Sequence, residues 1–590
     1  MLDDGDTPRY RCLGSGERCD NGVMTEAYSS ARLAFVSWRD SVPPDPYDPH
    51  LDLVNARYLD GDRLAAVRDA GTKFGRVVVD ELGPVAESYQ QHGPELDQYE
   101  GLGNRVEAIR FDPAYHDAGR LVWASGLVHH AGEPGASFEQ ATSGYLASLE
   151  GEFGHMCAAT CTTGMIRVLR RFASDPVAGR YLPALTDADY DAALRGAQFL
   201  TEVQGGSDVG ALASVATDYG DGTWRVSGEK WFCSVADADL FLVLARPDGA
   251  PEGTEGLGCF LLPRLVDGTP NGFSIRRLKE KLGTRSMASA EIDFDDAVAY
   301  PIGPATDGFK IMVTAMLNTS RWMNAVGDVG IMRRAYVEAA GYAGHREAFG
   351  QLISRFPLVR RQLAELKVDW LAALHSTWHL TALDEAVDLG VADEADAGFY
   401  RYLVNANKLA CSLAATKVVR GAIEILGGNG AIETFSVLPR LLRDAIVYEQ
   451  WEGTHNVLTA QVLRDLGRLD MTGSVLDRTA TLLKGITDPE LGTTAGRALV
   501  AFEDISSEIR RCVEDPRHGA LHGRDQLERL VAAHQVGLLL DAADAGGDLA
   551  MELATAARLL TGRSLDRAYR PEHDPDFADT LDTLLASDLG

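Results

Sequence analysis

Within "YEQWEGTHN", Tyr448 to Asn456, the carboxylate of Glu452 stands between the indole of Trp451 and Gly453, and Thr454, His455 and Asn456 follow. Such a residue is either a solvated carboxylate at a turn or a base that takes a proton from a carbon acid. Apolar walls strip water from a carboxylate and raise its affinity for a proton, which makes it a stronger base. Four other stretches carry groups suited to a flat, charged ligand. In "FLTEVQGGSDVGA", Phe199 to Ala211, Gly205 and Gly206 let backbone amides come close to a ligand, and Thr201 and Ser207 add hydroxyls. A helix entry capped by Ser207 or Asp208 would use the same residues. "GEKWFCSVADAD" puts Trp231, Phe232 and Ser234 on one strand, with Phe232 and Ser234 on the same side of it. An aromatic strand in a β core is the plainer reading. "HREAFG", His345 to Gly350, offers Arg346 to a phosphate and Phe349 to a ring, or simply a solvated arginine near a helix C-terminus. "LGGNG", Leu426 to Gly430, has three glycines, Gly427, Gly428 and Gly430, in a turn that can lie against phosphates. A helix C-cap accounts for one of them more readily than for three.

The elements that must position these groups follow from the hydrophobic period. Residues 1–50 read as an irregular leader. Residues 51–196 read as mostly helical, as in "DRLAAVRDAGTKFGRVVVDEL". Residues 197–305 turn to short β-rich runs. In "AEIDF", Ala290, Ile292 and Phe294 alternate with Glu291 and Asp293, the period of a half-buried strand. Residues 306–468 return to long amphipathic helical runs suited to a bundle, and 469–590 add further helices, where Leu499, Phe502, Ile505, Ile509 and Val513 step by three or four. The chain lacks the strand–helix rhythm of a Rossmann domain, and no GxGxxG follows a strand, so a dinucleotide would bind by another route.

Bulk properties narrow the function class. A chain of 590 residues, 45% hydrophobic and 24% charged, has the composition of a globular enzyme with several domains. No apolar run reaches membrane-span length, and the acidic N-terminus is unlike a signal peptide. Eight cysteines without a CxxC pair suggest reduced thiols and a cytoplasmic location. The net charge of −30 disfavours general binding to phosphate backbones.

With "LKEKLGTRSMASAEIDF" and "RDAIVYEQWEGTHN" added, the order of the motifs resembles the acyl-CoA dehydrogenase flavoprotein family over roughly residues 140–468. "TEVQGGSDV", "KWFCSV", "LKEKLGTRS", "LPRLLRD" and the earlier "NRVEAIRFDPAYH" are similar to its AidB-like branch, which extends the likeness over most of the chain after residue 50. The resemblance implies a mainly α fold with N-terminal helices, a central β barrel, a C-terminal helical bundle and an extra helical domain, with FAD held between them. It implies that Leu200 and Thr201 meet the flavin's pyrimidine end, Ser207 the pyrophosphate, Phe232 the ring where many members have Trp, and Ser234 the O4 and N5 edge. Thr454 and Asn456 join the cofactor set; Arg321, Trp451 and Gly453 join the substrate set. Arg346, Phe349, Gly427, Gly428 and Gly430 would complete the FAD site of a neighbouring subunit, which implies a homo-oligomer, dimer or tetramer. Pro357, in "SRFPLV", stands where many relatives have Gln, which removes one amide from the cofactor's adenine side.

The same resemblance makes Glu452 the catalytic base. The family's other base position, just before Arg321, is Ser320 here and cannot serve. Asp444, Glu449 and Glu433 are read as structural, and no metal is called for. The implied reaction is α,β-desaturation of an acyl thioester, bound to CoA or a carrier protein, with electron-transfer flavoprotein or another acceptor downstream. Two alternatives share the scaffold. One is an acyl-CoA oxidase or flavin monooxygenase. The other is an AidB-like alkylation-response protein that binds DNA through its C-terminal helices; residues 471–590 carry 12 Lys or Arg against 21 Asp or Glu, a net −9 that argues against a nucleic-acid surface.

Overall fold

The computed structural model describes residues 30–40, 42, 46–568 and 574–589. Three layers follow one another along the chain: helices, a closed sheet, and a long-helix bundle extended by the tail. The irregular leader expected over residues 1–50 falls partly outside the described residues. Within it Ser30–Asp40 is a helix, because Phe35 and Trp38 find an aromatic cluster with Tyr342 and Phe435.

The region read as mostly helical also holds a hairpin, β1 (Glu95–Tyr99) and β2 (Arg105–Arg110), around the turn "EGLGN". It covers a sheet edge: Gln98 donates to the Ile275 carbonyl at 2.6 Å, and the Glu107 carboxylate accepts from the Ile275 amide at 3.0 Å. Covering an edge protects its unpaired amides and carbonyls. These partners lie some 170 residues away in sequence, which is why local pattern did not reveal the hairpin.

The central sheet comprises β3 (Gly196–Phe199), β4 (Val215–Asp218), β5 (Trp224–Ser234), β6 (Leu240–Pro247), β7 (Gly258–Pro263), β8 (Phe273–Leu278) and β9 (Ser289–Pro301). β9, β5, β4, β6 and β7 pair in a ring, since β7 joins both β6 and β9; β3 and β8 add to its rims. Most pairings are antiparallel, but β3 and β4 run parallel to β6. The alternation expected in "AEIDF" holds only in part. Ala290, Ile292 and Phe294 are buried, yet so is Glu291, whose charge is met by Arg277 and Lys279 at 2.8 and 2.7 Å.

Behind the barrel, the helix Asn318–His345 runs through the bundle. Expected to be amphipathic, it is buried on nearly every face. The helices Pro357–Asp388, Glu394–Leu426, Ser137–Ala147, Gly154–Phe172 and Leu438–Gln450 surround it. Its polar residues are therefore paired inside: Arg333 with Asp48 at 3.1 Å, and Arg334 with Glu338 at 2.9 Å. The tail helix Pro489–Glu514 buries Phe502, Ile505 and Ile509 as its period predicts. Among the described residues no helix is long and apolar enough to cross a membrane.

One buried ion pair ties the N-terminal helices to the bundle. Arg167 meets Asp384 at 2.9 Å with both side chains almost fully enclosed; Ser137 and Tyr400 donate to the same carboxylate at 2.8 and 3.0 Å, and the guanidinium lies over Trp322. Removing one partner of such a pair strands a buried charge, at a cost of about 3–5 kcal/mol. Asp384→Ala is therefore expected to lower the thermal midpoint by several degrees, whereas an exposed control, Asp69→Ala, leaves it unchanged. Differential scanning calorimetry on the two variants checks this.

Candidate active site

Glu452 lies in the short loop between the helices Leu438–Gln450 and His455–Arg468. Its backbone takes a left-handed conformation, φ +57°, and Gly453 follows at φ +107°. A non-glycine residue there costs about 1–3 kcal/mol and persists only where its surroundings impose it. The surroundings here are explicit. Arg321 Nε donates to the Glu452 carbonyl at 2.9 Å, and Lys408 Nζ donates to the carbonyls of Glu449 and Gly453 at 3.1 and 3.2 Å. The ammonium thus faces the carbonyl end of a helix, where a cation is favoured. Trp451 Nε1 donates to Asn324, whose amide reaches Asp328 at 2.8 Å and Ser412 at 3.3 Å. A side chain at position 453 would combine a positive φ with close approach to Leu458 at 3.2 Å, so the glycine is required.

The side chain points to a different set of partners. Gln198 Nε2, from β3, donates to Glu452 Oε1 at 2.7 Å and to Ser320 Oγ at 3.3 Å. Among the described residues nothing hydrogen-bonds Oε2. Glu452 is densely enclosed but keeps part of its surface open. Loss of hydration raises its pKa from the ordinary 4.5 to about 7, against the opposing pull of Arg321, Lys408 and the Gln198 hydrogen bond. Burial also moves its basic neighbours: Lys408 falls to about 8 and Arg321 to about 10. Aromatic walls adjoin the loop, with Trp451 and Tyr448 ring centroids 4.5 Å apart and Phe153 5.3 Å from Tyr448.

The cofactor candidates fall into two groups. The first lies on the barrel. Leu200 is half-buried, and Thr201 sits under Gly206 while its carbonyl accepts from the Trp231 amide at 2.8 Å. Ser207 is exposed on the loop that follows, which is anchored by buried Glu202: Lys230 meets this carboxylate at 2.6 Å and the Ala213 amide does so too. Phe232 is 54% exposed, and the Lys279 ammonium lies 4.9 Å from its ring. Ser234 is half-buried beside Ser289, at 3.2 Å. Lys281, its pKa lowered by burial to about 8, donates to Ser289 Oγ at 3.0 Å and to the Met287 carbonyl at 2.7 Å. An ammonium can only donate. Ser289 therefore accepts from it, and the Ser289 and Ser234 hydroxyls share a hydrogen bond in which either can donate.

The second group lies at the far end of the Asn318–His345 helix. Arg346 caps this helix and rests over Phe35, while Phe349, at φ +52°, is 97% exposed. Asn429 donates to Tyr342 at 3.1 Å and so brings the glycine turn beside it; a Cβ at Gly427 or Gly428 would meet nothing within 4 Å, whereas Gly430 is packed against the Ile423 carbonyl. Among the described residues none of these makes a hydrogen bond or ring contact with Glu452. Thr454 begins the helix after the base loop without capping it through its side chain, and Asn456 is exposed. Arg321, expected to touch substrate, donates from Nε to the Glu452 carbonyl and from Nη1 to Asn405 at 2.6 Å, and so also supports the loop. Gln198, Lys408, Asn324, Asn405 and Lys281 were not singled out in the sequence. Only Gln198 left a local signal, a polar residue on the same strand face as Leu200, three positions before Thr201.

Two clefts of about 320 and 350 Å³ lie between the bundle and the tail helices, but their charges are largely paired, Arg563 with Asp369 and Arg361 with Glu365, and neither reaches Glu452.

Family models match most of the chain. That for the acyl-CoA dehydrogenase C-terminal domain covers residues 306–467, that for the middle domain 197–297, and that for the N-terminal domain of the adaptive response protein AidB 46–192. The putative acyl-CoA dehydrogenase AidB of Escherichia coli is 33% identical over 72% of this chain and 78% of its own. Acyl-CoA dehydrogenase family member 11 of Caenorhabditis elegans is 29% identical over 92% of this chain and 90% of its own. The crystal structure of C. elegans ACDH-11 in complex with C11-CoA superposes with a TM-score of 0.82 at 27% identity, covering 89% of this chain and 92% of that one. An acyl-CoA dehydrogenase of Bacillus anthracis complexed with FAD shares the fold, with a TM-score of 0.69 at 20% identity over 88% of this chain and 91% of that one.

Because the folded state raises the Glu452 pKa from 4.5 to about 7, it holds this proton more tightly than the unfolded chain does. The residue's contribution to stability is full below pH 4.5 and is lost as pH rises through 7. Glu452→Gln lacks this penalty. The thermal midpoint of the variant minus that of wild type should be larger at pH 8 than at pH 5; equal differences would show that Glu452 ionises normally.

Proposed function

The chain belongs to the acyl-CoA dehydrogenase family, in its AidB-like branch, and we propose that it is an FAD-dependent dehydrogenase that desaturates an acyl thioester between its α and β carbons. The observation that carries this reading is the Glu452 carboxylate: enclosed, poised near neutrality, with one oxygen held by Gln198 and the other open.

The residues present fit a flavin. Phe232 offers an exposed aromatic surface, Ser234 a half-buried hydroxyl beside Ser289, and Gly205 and Gly206 a loop that a backbone-bound phosphate can approach. Leu200, Thr201, Ser207, Phe232, Ser234, Thr454 and Asn456 would hold FAD from this chain. Arg346, Phe349, Gly427, Gly428 and Gly430 would come from a second copy, so a homo-oligomer is part of the proposal. Bound there, FAD supplies the acceptor for the β hydrogen and its electron pair.

The protein's own part is to bind and orient the thioester and to move one proton. Glu452 Oε2 takes the α-proton. Trp451 and Tyr448 exclude water from the carboxylate, which keeps it basic. Arg321 and Lys408 fix the loop from behind, and their positive charges oppose the upward shift that burial imposes on the carboxylate. Gly453 lets the backbone turn past the acyl group without a side chain in the way. An acyl-CoA is the expected substrate, as in the C11-CoA complex of the C. elegans relative, and electron-transfer flavoprotein or another carrier would reoxidise the enzyme.

Anaerobic titration of the purified protein with saturated acyl-CoAs of graded length should bleach the oxidised flavin band. Glu452→Gln should retain FAD but bleach about 10²- to 10⁴-fold more slowly. Wild-type bleaching by the variant, or no bleaching of the wild type by any acyl-CoA, would rule the reading out.

A further inference from the structure

Gln198 is the one side chain of the barrel that reaches the Glu452 carboxylate by a hydrogen bond, across 254 positions of sequence. We propose that Gln198 is a positioning residue for the base: its amide holds Oε1, so that Oε2 alone is presented to the α-proton of the substrate. This rests on the dehydrogenase reading above and deepens it.

The geometry supports the role in three ways. First, the two ends of Glu452 are anchored to one turn of one helix. Ser320 Oγ shares the Gln198 amide at 3.3 Å, and Arg321, the next residue, holds the Glu452 carbonyl at 2.9 Å. Loop and carboxylate are thereby set against the same rigid element. Second, the orientation of the amide is determined by its surroundings. Its NH₂ group faces two acceptors, Ser320 Oγ and Glu452 Oε1, while its own carbonyl is buried without a partner. The reversed orientation would set that carbonyl against a carboxylate, which is repulsive whenever Glu452 is ionised. Third, Gln198 lies three residues before Thr201 on the strand that leads into the proposed flavin loop. A single hydrogen bond therefore couples the position of the base to that of the barrel face where the β hydrogen is to be received.

The chemistry balances. The α C–H bond breaks and an O–H bond forms at Oε2. The freed electron pair becomes the second bond between the α and β carbons, and the β hydrogen departs with its own pair to FAD. A neutral donor on Oε1 favours the ionised carboxylate and fixes its plane. A misplacement of about 1 Å at such a distance can cost about 10²-fold in rate.

The test uses the full-length holoenzyme and Gln198→Leu, which retains approximate volume but donates nothing, with Gln198→Met as a second variant should leucine disturb folding. Infrared difference spectra between acid and base, with Glu452→Gln as the blank, read the titration of the Glu452 carboxyl without any substrate. The midpoint should move to higher pH in the Gln198 variants while flavin content and melting temperature stay at wild-type values. In anaerobic stopped flow with octanoyl-CoA, the acid limb of the bleaching rate should move in the same direction, with a loss of at least about 10-fold at pH 7. An unmoved or lowered midpoint overturns the proposal, as does a loss of stability with an unchanged midpoint, the mark of a packing role. If the infrared midpoint moves but no acyl-CoA of the graded panel bleaches the wild type, the dehydrogenase reading falls and with it the α-proton role of Oε2, while the hold of Gln198 on Glu452 stands.

Discussion

A carboxylate held where water cannot fully solvate it is the constraint around which this molecule is arranged. Left to itself, the chain would not choose this state: Glu452 takes a left-handed backbone conformation and gives up hydration, and both cost free energy. The compensation comes from groups that are themselves buried and paired. Arg321 and Lys408 grip three carbonyls of the loop, Trp451 is tethered through Asn324 to Asp328 and Ser412, and Gln198 takes one carboxylate oxygen. Burial pushes the Asp328 carboxyl well above its usual range, which spares the core a second full negative charge next to the loop. A poised base is thus the local expression of a polar network that spans the barrel and two bundle helices.

The larger architecture serves the same end. A closed ring of strands gives β3 and β5 a rigid frame, so Gln198, Phe232 and Ser234 sit on paired strands, and Thr201, just past β3, is held by the Trp231 amide. The buried Glu202–Lys230 pair anchors the glycine-rich loop to that frame, and Lys281 donates to the Ser289 hydroxyl beside Ser234. On the bundle side, burial of the Asn318–His345 helix on nearly every face leaves Ser320, Arg321 and Asn324 little freedom to move relative to the base. The exposed Phe349 and the open Gly427 and Gly428 stand apart from Glu452 at the end of that helix.

Much of this was legible in the sequence because it is local. The change of hydrophobic period near residue 197 marks the sheet, and the return of the helical period after 306 marks the bundle. The acidic residue between an indole and a glycine picks out the candidate base, a role that the order of the surrounding motifs rather than the stretch itself suggested. The rest was hidden because its causes are distant in sequence. Gln98 and Glu107 form a hairpin edge through Ile275, and Glu291 is buried because Arg277 and Lys279 answer it. Gln198 and Lys408 matter only through a loop 254 and about 45 residues further on. Arg321 was read from the family pattern as a substrate ligand; the coordinates add that two of its nitrogens hold the Glu452 carbonyl and Asn405. The amphipathic reading of the long helices failed for a related reason: a helix surrounded by other helices satisfies its polar residues internally, and no period in its own sequence reports how many neighbours it has.

The most direct measurement isolates the proton step from the redox step. A 3-thiaacyl-CoA has sulfur at the β position and cannot be desaturated, but its α-hydrogens can still be removed and replaced. Incubated in D₂O with wild-type holoenzyme, it should gain deuterium at the α carbon, at a rate that rises through a midpoint near pH 7, and Glu452→Gln should abolish the exchange. Equal deuterium incorporation by wild type and Glu452→Gln would contradict the account, because the α-proton would then be leaving to some group other than the carboxylate this fold so carefully encloses.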